Sequence, residues 1–364
     1  MLNDVLIDNW LLQDLGILHQ EGLSDRNVAQ LQLSKDGFSC KGKPEFLLQI
    51  DTLFSFLVDI VTRDTLVVDQ EWASAWQGRL NMVDQLSQNG IIQLKKIDIQ
   101  DNQSYEQTRK AAIESMGYCE MIKTQQERNK QAWKEQGGSD DRFFGQMFGG
   151  TAGNLGRSNY LHIPYNPHPL RADLLHQLNH KIWIPNAMEC TRQQIQQNRT
   201  SLFAGDVGEQ FKLRNPQLLL DPVIVEIIEA SKDASDLIRV ACQLRDSYQP
   251  FRELMKGYQK ALILENAVEL KAFKNHFDEI DDWLLRNKSS NRFGSLKVSL
   301  PLWVFGYSKN LGFEKLMFKF GARAIFKKML FQPAGTLSLK KLIRILGGNE
   351  SMTKLAMEYY ASSE

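Results

Sequence analysis

The residues best suited to chemistry gather between positions 157 and 180. Four of the six histidines, His162, His168, His176 and His180, fall within nineteen positions. His176 and His180 are four apart, so a helix would place them on one face. Asp173 lies one turn earlier. Two histidines and a carboxylate at this spacing suit a divalent metal such as zinc or iron. With an open coordination position they suit metal-dependent hydrolysis, including that of a nuclease. His168, Asp173, His176 and His180 are therefore the candidate metal set, and no other cofactor is expected. The run HQLNH has no glutamate after its first histidine, so the general base of an HExxH site is missing. An ordinary solvated helix face is the competing reading.

Two arginines in the same region are candidates for binding an anion. In NPHPLR (166–171) the flanking prolines hold His168 extended and put Arg171 in a first helical turn. A rigidly presented His and Arg would suit a phosphate. GGTAGNLGRS (149–158) resembles a phosphate loop in composition, with Arg157 at its end. Gly150 and Gly156 have five residues between them instead of the four of a Walker A motif, and Arg157 stands where Lys belongs. No apolar strand precedes it, and it is not a dinucleotide fingerprint. A backbone anion nest is one reading. A flexible lid or interdomain loop is the other.

The remaining chemistry is basic. Residues 297–344 hold ten Lys or Arg and one acid, Glu314, a local charge of +9 that leaves −8 on the rest of the chain. The overall +1 is therefore a cancellation between segments. Lys315, Lys319, Arg323 and Lys327 recur every four residues and make one cationic stripe on a helix, with Lys328 beside it. Such a stripe suits the phosphates of a nucleic acid, another anionic macromolecule, or an anionic membrane surface touched by an amphipathic helix over 312–331. Docking on an acidic surface of the same chain, of a second copy or of a protein partner is a further reading.

Other constellations are weak. Asp59, Asp64 and Asp69 would suit a two-metal site only if they converged. FDEIDDW (277–283) lacks the spacing of a calcium loop. Ser338 and Lys341 match S-x-x-K, without the other motifs of penicillin-recognising enzymes, and no GxSxG elbow exists. Whether the chain is an enzyme stays open.

These residues need elements to position them. Residues 9–19 form a short helix, and the apolar 45–64 a buried one. TLVVD (65–69) and the segment after Asn89-Gly90 read as strands. Residues 34–44 read as a loop, and 105–136 as a solvated amphipathic helix. Residues 137–156 contain seven glycines and no helix or strand period, so a long loop is expected there. A helix then starts near Pro169. Helical patterns over 187–203, 221–231, 234–286, 312–331, 337–346 and 350–361 follow, with a division at Gly257 and an irregular piece at 289–308. The expected fold is mainly α (α+β), with a small mixed or antiparallel β element in two linked parts. An N-terminal part (1–136) and a C-terminal part (159–364) flank the glycine-rich loop or linker (137–158). With 43% hydrophobic and 24% charged residues, the composition is that of a globular protein and excludes disordered or disulfide-scaffold classes. Four scattered cysteines fit reduced thiols. With no secretory signal and no apolar run of about 20 residues, the expectation is a cytoplasmic chain without a transmembrane segment.

Overall fold

The computed structural model describes residues 3–34, 37–73, 81–99, 102–115, 145–177, 186–192, 220–273, 275 and 335–361. At its centre is a four-stranded sheet of β1 (Val5–Ile7), β4 (Leu66–Asp69), β5 (Ile92–Lys95) and β6 (Tyr165–Asn166), in the order β5-β4-β1-β6. Every pairing in it is parallel, with Leu6 opposite Val67 on one side and Tyr165 on the other. The two central strands, VLI and LVV, are apolar without interruption, as strands covered on both faces must be. The small β element expected as mixed or antiparallel is thus divided in two, and this sheet is its parallel piece. The antiparallel pairing lies in a separate hairpin, β2 (Asn27–Ser34) with β3 (Gly37–Pro44), which occupies the expected loop at 34–44.

Successive side chains of a strand point to opposite faces. Val5, Ile7, Leu66 and Val68 pack into the larger core with α1 (Asn9–Glu21), α2 (Glu45–Thr62) and the C-terminal helices. Leu6 and Val67 face a smaller core with Ile97, Ala112, Phe148, Ala152 and Leu155. The last four belong to α5 (Gln103–Ser115), the π-turn Gly145–Gly149 and α6 (Gly150–Leu161). Short α3 (Gln70–Ala73) and α4 (Asn81–Gln88) connect β4 to β5. α7 (Pro169–Gln177) follows β6 and starts on its proline, where the missing N–H costs nothing.

The C-terminal part adds a turn of helix at 187–192, α8 (Pro222–Ala230), α9 (Ala234–Ser247), α10 (Gln249–Ile263), a short helix at 267–273, α11 (Thr336–Ile345) and α12 (Glu350–Ala361). The described part of the 234–286 pattern divides at Tyr248 and at Leu264–Asn266. Gly257 lies inside α10, where Phe273 packs close to it. Glycine content and the absence of a period predict a long loop over 137–156, yet Gly145–Gly149 form a π-turn and α6 is a regular helix from Gly150, with 137–144 outside the described residues. The glycines of α6 allow close packing. A Cβ on Gly150 would stand 2.2 Å from Arg171 Nη2, and one on Gly156 would stand 2.6 Å from the Tyr105 ring. Burial on both sides thus outweighs a helix-propensity penalty of about 1 kcal/mol per glycine.

α2 is the most deeply buried helix, with Phe56, Leu57, Ile60 and Val61 fully covered. Each such side chain contributes about 1.5–3 kcal/mol. A buried helix end leaves carbonyls that need donors. Here two arginines supply them. Arg245 donates to Ile60 O, to Arg63 O at 3.0 Å and to Asp64 O at 2.9 Å, and Arg252 to Val61 O at 3.0 Å. The fold is mainly α with some β. Residues of both expected parts share the larger core, from Val5 to Ala356. Among the described residues no helix is long and apolar enough to cross a membrane.

Candidate functional site

β1 leads to β4 and then β5 on one side, and the chain returns to pair β6 on the other side of β1. The strand order therefore reverses between β1 and β6. In open parallel sheets ligands bind outside the carboxyl ends of the strands at such a point. Two buried aspartate–arginine pairs lie there.

Asp8 follows β1 directly and caps α1, accepting from Trp10 N at 2.9 Å. The same oxygen accepts from Arg171 Nη1 at 2.7 Å. Its other oxygen accepts from His168 N at 3.1 Å and from the Tyr165 hydroxyl. A carboxylate offers about four lone-pair sites, and all are filled. Burial by itself would raise the Asp8 carboxyl. Arg171 foremost, with the hydrogen bonds from the Tyr165 hydroxyl and the His168 backbone N–H, outweighs it and holds the group below its ordinary value. The Tyr165 hydroxyl, buried and bonded to Asp8, is pushed well above the usual tyrosine range, and Asn154 Nδ2 donates to it at 3.1 Å. It is a fixed donor and no base.

Arg171 is 2% exposed. It also donates to Gln146 O of the π-turn at 2.8 Å, and its guanidinium lies 4.0 Å from the Trp10 ring centroid. Its Nε makes no hydrogen bond among the described residues. His168 is buried between its two prolines. Leu170 N donates to its Nδ1 at 3.2 Å, so the ring proton is on Nε2 and goes to Asp14 Oδ2 at 2.8 Å. Both ring nitrogens are thus committed, which leaves no lone pair for a metal.

Asp69 ends β4, the strand next to β1. Its Oδ2 accepts from Arg157 Nε at 2.7 Å and its Oδ1 from Glu71 N at 3.1 Å. Two neighbouring strands therefore end in an aspartate paired with a buried arginine. A third carboxylate, Asp59, is raised by burial, against the pull of Arg63 and Arg192. It accepts from Arg63 Nε at 3.3 Å and from Asn166 Nδ2. Asp64 pairs with Lys256 at 3.1 Å. Asp59, Asp64 and Asp69 thus have separate cationic partners, and they do not converge.

Of the candidates named from sequence, Arg157, Arg171 and His168 lie at this edge. Arg157 and Arg171 are internal ion-pair members and not freely exposed cations. Asp173 and His176 fall on α7, but their side chains lie outside the described residues, as does His180 altogether. His162 is the left-handed C-cap of α6, φ 53°. No three His, Cys, Asp or Glu side chains converge as a metal site among the described residues. Lys315, Lys319, Arg323, Lys327 and Lys328, with the 312–331 helix, also lie outside them. Three cations of the basic segment are described, all on α11. Lys340 and Arg344 are exposed, and Lys341 donates to Glu229 O at 2.8 Å. Ser338 donates to the Glu229 carboxylate at 2.6 Å, so it and Lys341 form no nucleophile–base pair.

Spacing does not single out Asp8, Asp14 or Tyr165, and it points to Asp69 only as a member of the Asp59, Asp64, Asp69 set. A signal was present: VLI-Asp8 and LVV-Asp69 repeat an apolar strand ending in aspartate. No family model, curated protein or solved structure matches the chain.

Proposed function

We propose that this protein binds an anionic, phosphate-bearing partner, nucleic acid first, through the basic segment 297–344. The observation that carries the reading is the surface of α11. Its buried face is Ser338, Leu339, Leu342, Ile343 and Leu346. Lys340 and Arg344 point away from that face to solvent, and neither forms an ion pair among the described residues. Lysines that merely neutralise the acidic remainder of the chain would be expected to pair with it. Free cations at helical spacing suit phosphates along a backbone. The fold adds an arginine-bearing edge where parallel sheets take ligands.

The test is fluorescence anisotropy of a labelled single-stranded oligonucleotide across a salt series. Binding should weaken steeply with salt. The double variant Lys340→Glu, Arg344→Glu should bind less tightly and lose roughly 0.7 of the log–log salt slope per phosphate contact. Binding that ignores salt, or a variant equal to the parent, would refute the reading. A metal-dependent hydrolase built on His168 has no comparable support, because that ring is fully hydrogen-bonded.

A further inference from the structure

Arg157 has an edge that its structural role does not use. Asp69 takes its Nε at 2.7 Å, which fixes the plane of the guanidinium at the carboxyl end of β4. Nη1 and Nη2 make no hydrogen bond among the described residues. The nearest anion to that edge is Glu71, whose Oε2 is 3.5 Å from Nη2. The two partners differ in kind. Asp69 is 4% exposed, whereas the Glu71 side chain is 65% exposed and free to swing away. The guanidinium centre lies 5.7 Å from the Trp72 ring centroid and 5.8 Å from that of Tyr105. Tyr105 is buried, but Trp72 is 38% exposed. The Arg157 side chain itself is 7% exposed. A Cβ on Gly153 would stand 3.2 Å from Nη1 and 3.5 Å from the Tyr105 hydroxyl, so α6 and Tyr105 line the Nη1 side and the approach for a ligand runs past the exposed Glu71.

An arginine oriented through Nε by a buried carboxylate presents its two amino groups as a fork for a second oxyanion. A half-exposed indole beside it offers a π-face on which a base can stack, and base stacking on aromatic side chains tolerates any base. The carboxyl edge of a parallel sheet is where such a ligand is held. We infer that the Nη edge of Arg157 binds the phosphate of a nucleotide, with Trp72 as the stacking face and Glu71 as a displaceable internal carboxylate. The nucleotide is free or is one unit of a single strand. The inference rests on the reading of a phosphate-bearing partner and adds the site and the aromatic base to it.

The glutamate makes the inference testable without disturbing the core. Calorimetric titrations of the full chain use adenosine 5′-monophosphate, adenosine, inorganic phosphate and a short single-stranded oligonucleotide. The monophosphate should bind more tightly than phosphate or adenosine. Glu71→Gln should tighten it about two- to fivefold, the worth of an exposed ion pair. Arg157→Lys keeps the charge beside Asp69 but loses the fork, and it should weaken binding about tenfold or more. Trp72→Ala should remove the preference for the monophosphate over inorganic phosphate. A thermal melt establishes that Arg157→Lys is folded, and Glu71→Gln, on an exposed side chain, decides the matter if it is not. Monophosphate binding without oligonucleotide binding assigns the site to free nucleotides and supports it. No binding of any phosphate ligand overturns it, as does an affinity unmoved by Glu71→Gln. Salt-dependent oligonucleotide binding that responds to Lys340 and Arg344, but not to Glu71 or Arg157, overturns this inference while leaving the proposed function intact.

Discussion

At the scale of single residues, Asp8 holds the carboxyl edge together. It joins the start of α1, Tyr165 of β6, the His168 backbone and Arg171, so four segments depend on one carboxylate. Asp8→Asn keeps the N-cap, since asparagine caps as well as aspartate. It removes the charge and leaves Arg171 buried with no anion. A loss of about 3–5 kcal/mol in urea unfolding is expected, the cost of breaking a buried pair from one side. The pH dependence has a definite sign. The folded carboxyl lies below its ordinary value. The stability it supplies is therefore complete above the unfolded value of roughly 3.9 and disappears as pH falls through the lower folded value. Urea melts at a series of acidic pH values should show a flatter acid limb for Asp8→Asn than for the parent. Equal slopes would mean that Asp8 is not ionised in the fold.

At the scale of elements, α6 shows how packing overrides propensity. Its glycines bring the helix against Tyr105 of α5 and Arg171 of α7. Alanine is the better helix former by about 1 kcal/mol. At Gly156 the added methyl would meet the Tyr105 ring at 2.6 and 2.8 Å and its carbonyl at 3.1 Å. Overpacking of this kind costs about 1–3 kcal/mol. Gly156→Ala is expected to lower the melting temperature. Gly149 has right-handed helical dihedrals and nothing within 4 Å of an added Cβ. Gly149→Ala should leave the melting temperature unchanged or raise it. A pair of thermal melts compares the two, and a stabilised Gly156→Ala would contradict the close packing of α6. A sequence period cannot reveal such a helix, because glycine adds nothing to a hydrophobic pattern. The close neighbour that requires it lies about fifty residues away in the chain.

At the scale of the whole molecule, the larger core runs from β1 to α12 without a break. The two ends of the chain are also tied by polar contacts. Lys43 of β3 donates to the Tyr359 hydroxyl at 2.8 Å, and Tyr360 donates to Asp51 of α2 at 2.6 Å. Leu23 N donates to Leu346 O at 3.3 Å. A shared core predicts cooperative unfolding. Leu342→Ala on α11, at a fully buried site, should destabilise the protein by about 2–5 kcal/mol. It should do so with tryptophan fluorescence and far-ultraviolet dichroism still reporting one coincident transition. Separate transitions, with the α11–α12 helices melting first, would show that the C-terminal part folds apart from the sheet.

The sequence alone determined what depends on local pattern. The buried α2, β4, β5, the proline start of α7 and the pair α11–α12 were legible, because apolar period and turn residues act over a few positions. The separation of charge between residues 297–344 and the rest was legible from counting. The parallel pairing, the strand-order reversal and the helical state of the glycine-rich segment were not. Each depends on contacts between residues tens to hundreds of positions apart, to which local propensity is blind. The same holds for the site. Arg157 and Arg171 were identifiable as cations in a suggestive context, but only the tertiary structure set Asp69 and Asp8 beside them. It made both arginines buried ion-pair partners, because the fold brings each carboxylate to its arginine from the end of a different strand.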